Sequence, residues 1–390
     1  MEYKKVKLKE VCTVNQGLQI PISKRFKEKG PNRYFYITIQ FLKGNTDEYY
    51  IENPKKSVIC QKEDILVVRT GNTGMVLTGV EGCFHNNFFK VEPNEKIYSK
   101  YLYYTLNNKY MYKKMLNAAS GTTIPDLKHS AFYDLVIPLP TISEQHKIVN
   151  VLESIDEKIK LNNQINDNLH NLLKIIYHNK FIDNKKEDWI EDKLGNYLDV
   201  ERGLSYKGKF LADAGTPMIN LGNVMPDGVF RLEKNKYYTG EYKEKVTVTA
   251  GDIVMANTDM TQNRDVLGTP VIIPHIYNDK VIFSHHIYAL KNLRLPKMYV
   301  FYSLLTKEWN GVSGGSATGT TVLALPKDAI EEYMITIPDE ISLKRFEDLA
   351  ENIQKTREQI IIEKLNLEQL RDTLLPKLMN GEIDLEKIKI

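Results

Sequence analysis

Ile148-Val149-Asn150-Val151-Leu152-Glu153-Ser154-Ile155 opens a run from Ser143 to about Phe181 that contains neither proline nor glycine. Ile148, Ile155, Asn162, Leu169 and Ile176 recur every seven residues, and Leu152, Ile159, Asn166 and Leu173 follow the first four of these by four. That is the a/d seam of a coiled-coil helix with two polar interruptions, Asn162 and Asn166. The same phase returns 198 residues later as Phe346, Ile353, Ile360, Leu367 and Leu374, with Ala350, Arg357, Lys364, Arg371 and Leu378 four positions on. The spacing predicts one helix from Ser143 and a second from near Ser342 to about Leu375. Either helix alone would leave an apolar stripe in water, so the two are expected to pair. Because each follows its own copy of a preceding domain, a twofold arrangement makes the pair antiparallel.

The preceding domains are themselves duplicated. Gly121-Thr122-Thr123 recurs as Gly319-Thr320-Thr321, Ile137-Pro138 as Ile337-Pro338, and Tyr101-Leu102-Tyr103-Tyr104 as Tyr299-Val300-Phe301-Tyr302. Phe84-His85-Asn86-Asn87 corresponds to Phe283-Ser284-His285-His286, Glu63-Asp64-Ile65 to Gly251-Asp252-Ile253, and Gly17 to Gly203. Strand-like runs separated by Gly and Asn turns (residues 34–39, 65–69 and 75–77; 245–249, 253–255 and 271–273) and a short helix near 98–116 and again near 297–309 give a mixed α/β reading of each copy. The predicted organisation is therefore two α/β recognition domains, 1–142 and 183–338, separated by two long antiparallel coiled-coil helices, 143–182 and 339–390. Such a chain can place its copies about a pseudo-twofold axis, which suits a ligand with its own twofold character. Duplex DNA is the obvious one.

At 390 residues, with 42% apolar and 26% charged residues, the chain is ordinary for a globular protein of two or three domains. No apolar run approaches the ~20 residues of a membrane span. Met1-Glu2-Tyr3-Lys4-Lys5 lacks the apolar stretch of a signal peptide. Cys12, Cys60 and Cys83 are odd in number and show no C-x-x-C spacing, so a reduced, cytoplasmic setting without disulfides or a zinc site is expected. The net charge of +3 conceals an asymmetry: residues 1–142 hold 21 Lys and Arg against 13 Asp and Glu, whereas residues 183–338 hold 18 against 20. The first domain would attract a polyanion non-specifically, and the second would have to gather its basic groups on one face.

Polar loops after the strands carry groups able to read base edges. Arg69, Asn72 and Thr73 occur in the first copy, and Asn257, Thr258, Gln262, Asn263 and Arg264 in the second. Arg pairs with guanine, and Asn or Gln with adenine, through two parallel hydrogen bonds in the major groove. Around the paired glycines lie Gln16, Gln19, Lys24 and Arg25 in one copy and Arg202, Ser205, Tyr206 and Lys207 in the other, and Asn86 and His285 occupy matching places. Ser120, Thr122 and Thr123, with Thr318, Thr320 and Thr321, suit phosphate or sugar contacts. The same residue types are also ordinary turn formers.

Signals for catalysis fail. Gly203-Leu204-Ser205-Tyr206-Lys207-Gly208-Lys209 has the frame of a phosphate-binding loop, but Phe210 stands where Mg²⁺ needs Ser or Thr, and the run before it is too polar for the required buried strand. No Asn-Pro-Pro-aromatic tetrapeptide of an amino-methyltransferase is present. Asp156-Glu157-Lys158 reads as a solvated helix face, and His285-His286, if in a strand, would face opposite ways. No cofactor and no metal is expected on this chain.

Leu135-Val136-Ile137-Pro138-Leu139-Pro140, followed by Glu144-Gln145-His146-Lys147-Ile148, and the closing Leu370-Arg371-Asp372-Thr373-Leu374-Leu375-Pro376-Lys377-Leu378 with Asn380-Gly381-Glu382-Ile383 complete the pattern. Over essentially its whole length the chain resembles the specificity subunit of a type I restriction–modification system, which serves defence against foreign DNA. The second copy departs at Ile337-Pro338-Asp339-Glu340, where the Leu-Pro and the Gln are missing. The resemblance implies a non-catalytic subunit that binds double-stranded DNA at a bipartite, asymmetric site, one half per domain, with a gap set by the helices. It also implies two modification subunits holding S-adenosylmethionine and methylating adenine N6, and restriction subunits using ATP and Mg²⁺ for cleavage. The competing reading is an interaction scaffold that never touches DNA, its two ligand-binding domains joined by a helical spacer. The purified chain, assayed with radiolabelled S-adenosylmethionine or with ATP, is expected to show no turnover.

Overall fold

The computed structural model describes residues 3–42, 48–121, 124–261, 263–277 and 279–383. The chain divides into two compact units, Met1–Lys160 with Leu365–Ile390, and Leu161–Lys364. The two long helices, Ile142–His178 and Glu340–Met379, contribute to both.

In the first unit a four-stranded antiparallel sheet has the order Cys12–Gln16, Phe88–Pro93, Ile65–Val68, Val76–Leu77. A second sheet runs Tyr50–Glu52, Arg33–Ile37, Gly82–Phe84, Ile59–Cys60, and its central pair, Arg33–Ile37 with Gly82–Phe84, is parallel. Lys4–Lys7 pairs with Val136–Leu139 just ahead of the first long helix. The second unit repeats this plan. Asp199–Arg202, Ile287–Lys291, Ile253–Ala256 and Pro270–Ile272 form the antiparallel sheet. Thr216–Ile219 lies parallel to Val281–Phe283 in a five-stranded one, and Ile190–Lys193 pairs with Met334–Ile337.

Each central strand explains its unbroken apolar run. Alternate side chains point to opposite faces. Ile65 and Val67 pack with the helices while Leu66 and Val68 pack between the sheets, and Ile253 and Met255 divide from Val254 and Ala256 in the same way. The short helix expected near 98–116 is two, Ser99–Leu106 and Lys109–Ala118, because Asn108 caps the second by accepting from the Met111 N–H at 2.8 Å. The copy breaks identically into Lys297–Ser303 and Lys307–Gly315, with Thr306 capping at Trp309.

Within each unit the long helices run antiparallel. In the second unit Asn162 donates to Glu363 at 2.8 Å, Arg357 to Asn166 at 3.2 Å and Lys180 to the Ser342 carbonyl at 2.8 Å, so partners fall along one helix as they rise along the other. In the first unit Ile148, Val149 and Leu152 pack with Leu375, Leu378 and Met379. Asn162, at 1% exposure, is a buried seam position whose amide is satisfied across the pair. Asp156 departs from the expected solvated face: it accepts from the Tyr104 hydroxyl at 2.6 Å and pairs with Arg371 at 2.8 Å. The second helix passes Pro376 in its final turn and ends at Met379; just beyond it Gly381 donates to the Leu378 carbonyl, and its φ of +71° turns the chain so that the Glu382 N–H reaches the Lys377 carbonyl at 2.9 Å.

The tyrosine matching Tyr104 in the second unit, Tyr302, also meets both long helices. It lies beside buried Arg357 and donates to His170 Nδ1 at 3.4 Å, while His170 Nε2 donates to the Asp227 carbonyl at 2.7 Å. Burial, and then the Arg357 charge, push the His170 pKa down to about 4, so the folded protein holds it neutral. Below the ordinary value of 6.5 the unfolded chain takes up this proton while the folded chain does not until about pH 4. Stability is therefore lost as pH falls through that window, by about 3 kcal/mol in all. Denaturant melts at pH 7.5 and pH 5 are expected to show about 2 kcal/mol of this loss, and a His170→Gln variant is expected to lose less on the same acidification.

Gly17 and Gly203 mark the tightest backbone approach in each unit. A Cβ there would lie 2.2 Å from the His85 carbonyl oxygen and 2.1 Å from that of Ser284. Backbone atoms have nowhere to go, so Gly203→Ala is expected to destabilise the second unit by about 1–3 kcal/mol, read as a lowered thermal midpoint.

Candidate nucleic-acid interface

The strand Ile65–Val68 delivers Arg69 to a junction of three loops. Its N–H donates to the Asn87 carbonyl at 2.6 Å, and its carbonyl accepts from the Leu127 N–H at 3.1 Å, which pins the backbone on both sides. The guanidinium donates through Nε and Nη2 to the two Asp126 oxygens at 2.6 and 2.9 Å, and more weakly through Nη1 to Gln16 Oε1 at 3.4 Å. This pairing holds the Asp126 carboxyl below the usual carboxylate range. Asp126 is placed by its backbone, which exchanges two hydrogen bonds with Ser120 at 2.9 and 2.8 Å.

Several residues expected at the interface serve the framework instead. The Gln16 amide donates to the Asn86 carbonyl at 2.5 Å and the Phe88 carbonyl at 3.2 Å. Thr73 is buried and donates to the Pro125 carbonyl at 2.6 Å. Arg25 donates to the Ile20 carbonyl from Nε and Nη2 and lies 5.0 Å from the Tyr36 ring centre, with His85 against the same ring at 5.7 Å. Burial, and then Arg25, lower the His85 pKa. Gln19 accepts from Asn86 at 3.3 Å on the surface, and Lys24, Asn72 and Ser120 are exposed. Thr122 and Thr123 lie outside the described residues, as does Gln262.

The second unit rebuilds the junction with different side chains. Asn257 takes the place of Arg69: its N–H donates to the His286 carbonyl at 3.0 Å and its carbonyl accepts from Leu325 at 2.8 Å. Ala324 stands where Asp126 stood, in backbone exchange with Thr318. Arg202 replaces Gln16 and reaches the His285 carbonyl at 3.4 Å. Asn257, 2% exposed, also donates from its side-chain Nδ2 to that carbonyl at 3.0 Å, while its Oδ1 is buried without a hydrogen-bond partner among the described residues, and buried Thr258 bonds His286 Nδ1 at 2.9 Å. His285 and His286 do not face opposite ways. They lie in the turn between two strands, with ring centres 3.9 Å apart and planes tilted by 39°. Burial, then His285, Arg202 and Lys236, lower the His286 pKa. Tyr206 lies 5.8 Å from the His285 ring, and Lys236 sits over the Tyr206 ring at 5.8 Å. Arg202, Ser205, Lys207, Asn263, Thr318, Thr320 and Thr321 are exposed. Arg264, at φ +59°, donates to the Gly314 carbonyl at 2.7 Å.

The junctions thus share a backbone and differ in charge: an Arg–Asp pair in the first unit, and Arg202 and Lys236 around two adjacent, tilted histidines in the second. Asp126, Tyr36 and Lys236 were missed as members of these clusters, since each is brought in from a distant segment by tertiary pairing. Only Asp126 had a signal, its fixed distance from the duplicated Gly-Thr-Thr.

Residues 1–171 match the family model described as type I restriction modification DNA specificity domain. The MjaIX specificity subunit of Methanocaldococcus jannaschii is 26% identical over 381 residues, covering 91% of this chain and 85% of that one. The MjaVIII specificity subunit of the same organism is 23% identical over 378 residues, covering 91% and 87%. The crystal structure of a type I restriction–modification S subunit from M. genitalium aligns with a TM-score of 0.56 at 17% identity over 97% of this chain and 96% of that chain, a likeness of fold. The chain is therefore similar over most of its length to specificity subunits of type I restriction–modification systems, and its first 171 residues match the DNA specificity domain of those systems.

Proposed function

We propose that the two recognition domains, residues 1–142 and 183–338, each read one half of a bipartite, asymmetric duplex target, and that the helix pair sets the gap between the halves. The observation that carries this reading is the repeated loop junction: the same strand end, glycine and hairpin recur, with Arg69, Gln16 and Asp126 answered by Asn257, Arg202 and Ala324. A shared scaffold bearing different polar groups suits two half-sites of different sequence. Exposed Lys24, Asn72, Ser120, Ser205, Lys207 and Asn263 surround these junctions, where they would meet phosphates or base edges. Thr122, Thr123 and Gln262 stay candidates on the sequence alone.

In this reading the chain assembles with two modification subunits, which hold S-adenosylmethionine and methylate adenine N6 after flipping it from the stack. It also directs restriction subunits that use ATP and Mg²⁺ to cleave unmodified DNA. All would work in the cytoplasm. Among the described residues no helix is long and apolar enough to cross a membrane.

The helices offer the direct test. At 1.5 Å per residue the first is about 56 Å long. Inserting four residues around Asn162–Asn166 is expected to change the gap between the half-sites by whole base pairs and leave the letters of both unchanged. Methylome sequencing of a strain carrying the insertion reads both quantities. Altered letters with the old gap would overturn the ruler.

A further inference from the structure

A guanidinium carries five N–H donors in a rigid plane. Asp126 accepts from Nε and Nη2 of Arg69, which is one whole edge of that plane. The edge between Nη1 and the second Nη2 hydrogen remains, and among the described residues its one hydrogen-bond partner is Gln16 Oε1 at 3.4 Å from Nη1, a weak contact. Two parallel donors on one edge match O6 and N7 of guanine in the major groove. We propose that Asp126 is a positioning residue that aims Arg69 at a guanine in the first half of the target. The proposal rests on the bipartite reading above and adds the base and the device that selects it.

Three features favour this over a merely structural ion pair. The side chains are 34% and 26% exposed, so the pair is open to a ligand and contributes little to stability as a surface ion pair. The Arg69 backbone is nevertheless fastened on both sides by Asn87 and Leu127, and the Asp126 backbone by Ser120. A long side chain held at both ends before binding loses little further freedom on meeting a base, which is how preorganised groups gain affinity and discrimination. Finally, the second unit keeps the backbone and discards both partners together, with Asn257 and Ala324 in their places. A stabilising pair could be lost one member at a time, whereas a reading pair has no use for Asp126 once the arginine is gone. The guanine is therefore assigned to one half-site only.

The test uses the full chain assembled with its modification subunits and duplexes carrying its methylome-defined target. In the half-site whose letters change in the Arg69→Ala complex, each guanine is replaced in turn by 7-deazaguanine, which lacks the N7 acceptor. Methylation is expected to fall by about 10-fold or more at one position and not at the others. The Arg69→Ala complex should be indifferent to that replacement and accept other bases there. Asp126→Asn, which keeps the shape and loses the charge, should relax the same letter, and Arg69→Lys, which keeps the charge and loses the fork, should do so as well. The letters of the other half-site and the thermal midpoint should stay as they were. A first half-site without guanine on either strand, indifference of the wild-type complex to every 7-deazaguanine, or an unchanged motif in Asp126→Asn would overturn the proposal while leaving the bipartite reading intact. A methylated motif that is not bipartite would overturn both.

Discussion

The structure of each unit depends on the burial of one seam between two long helices that run in opposite directions. Neither helix can keep its stripe in water, and neither finds enough partners in its own sheet alone. In the first unit the start of one helix and the end of the other close over the sheet with Tyr101, Leu102 and Phe132. In the second, Leu173, Tyr177, Phe346 and Ala350 do so with Tyr299 and Tyr302. The helix that ends the chain thus completes the core that its beginning opens. Non-local packing of this kind makes each unit depend on chain segments about two hundred residues apart.

Polar groups in that seam specify rather than stabilise. A buried amide such as Asn162 must find its partner across the pair, and a slipped register would leave it unsatisfied. The two tyrosine junctions solve the same problem with opposite electrostatics. Tyr104 sits on a balanced Asp156–Arg371 pair, whereas Tyr302 lies beside Arg357, whose described acceptors Asn166 and Gln354 are neutral. Beside that buried charge His170 stays neutral, which lets it accept the tyrosine hydrogen while donating to the Asp227 carbonyl. Acid sensitivity is built into the second unit by this choice.

The two loop junctions apply one backbone to two chemistries. Gly17 and Gly203 let a loop cross a carbonyl at a distance no side chain tolerates, and the same crossing brings Gln16 or Arg202 against the turn that carries Asn86 or His285. Once the backbone is fixed, substitution at four or five positions changes what the surface presents without repacking the core. Divergence confined to such positions is what a family of readers for different sequences requires.

Periodicity and duplication are local or self-comparing properties, and they were legible in the chain itself: the heptad phase, its return 198 residues on, the paired glycines, and the α/β class. Hydrophobic spacing dictates helices because a stripe must be buried wherever its partner comes from. What tertiary structure alone decided was which polar groups are free. Arg69 and Gln16 look alike in sequence to any exposed reader of bases, yet Arg69 gives one edge of its guanidinium to Asp126 and Gln16 donates to the Asn86 carbonyl, and Thr73, Asn257 and Thr258 are buried outright. Hydrogen-bond partners separated by fifty or more residues leave no spacing to read, since they meet only after the strands have paired.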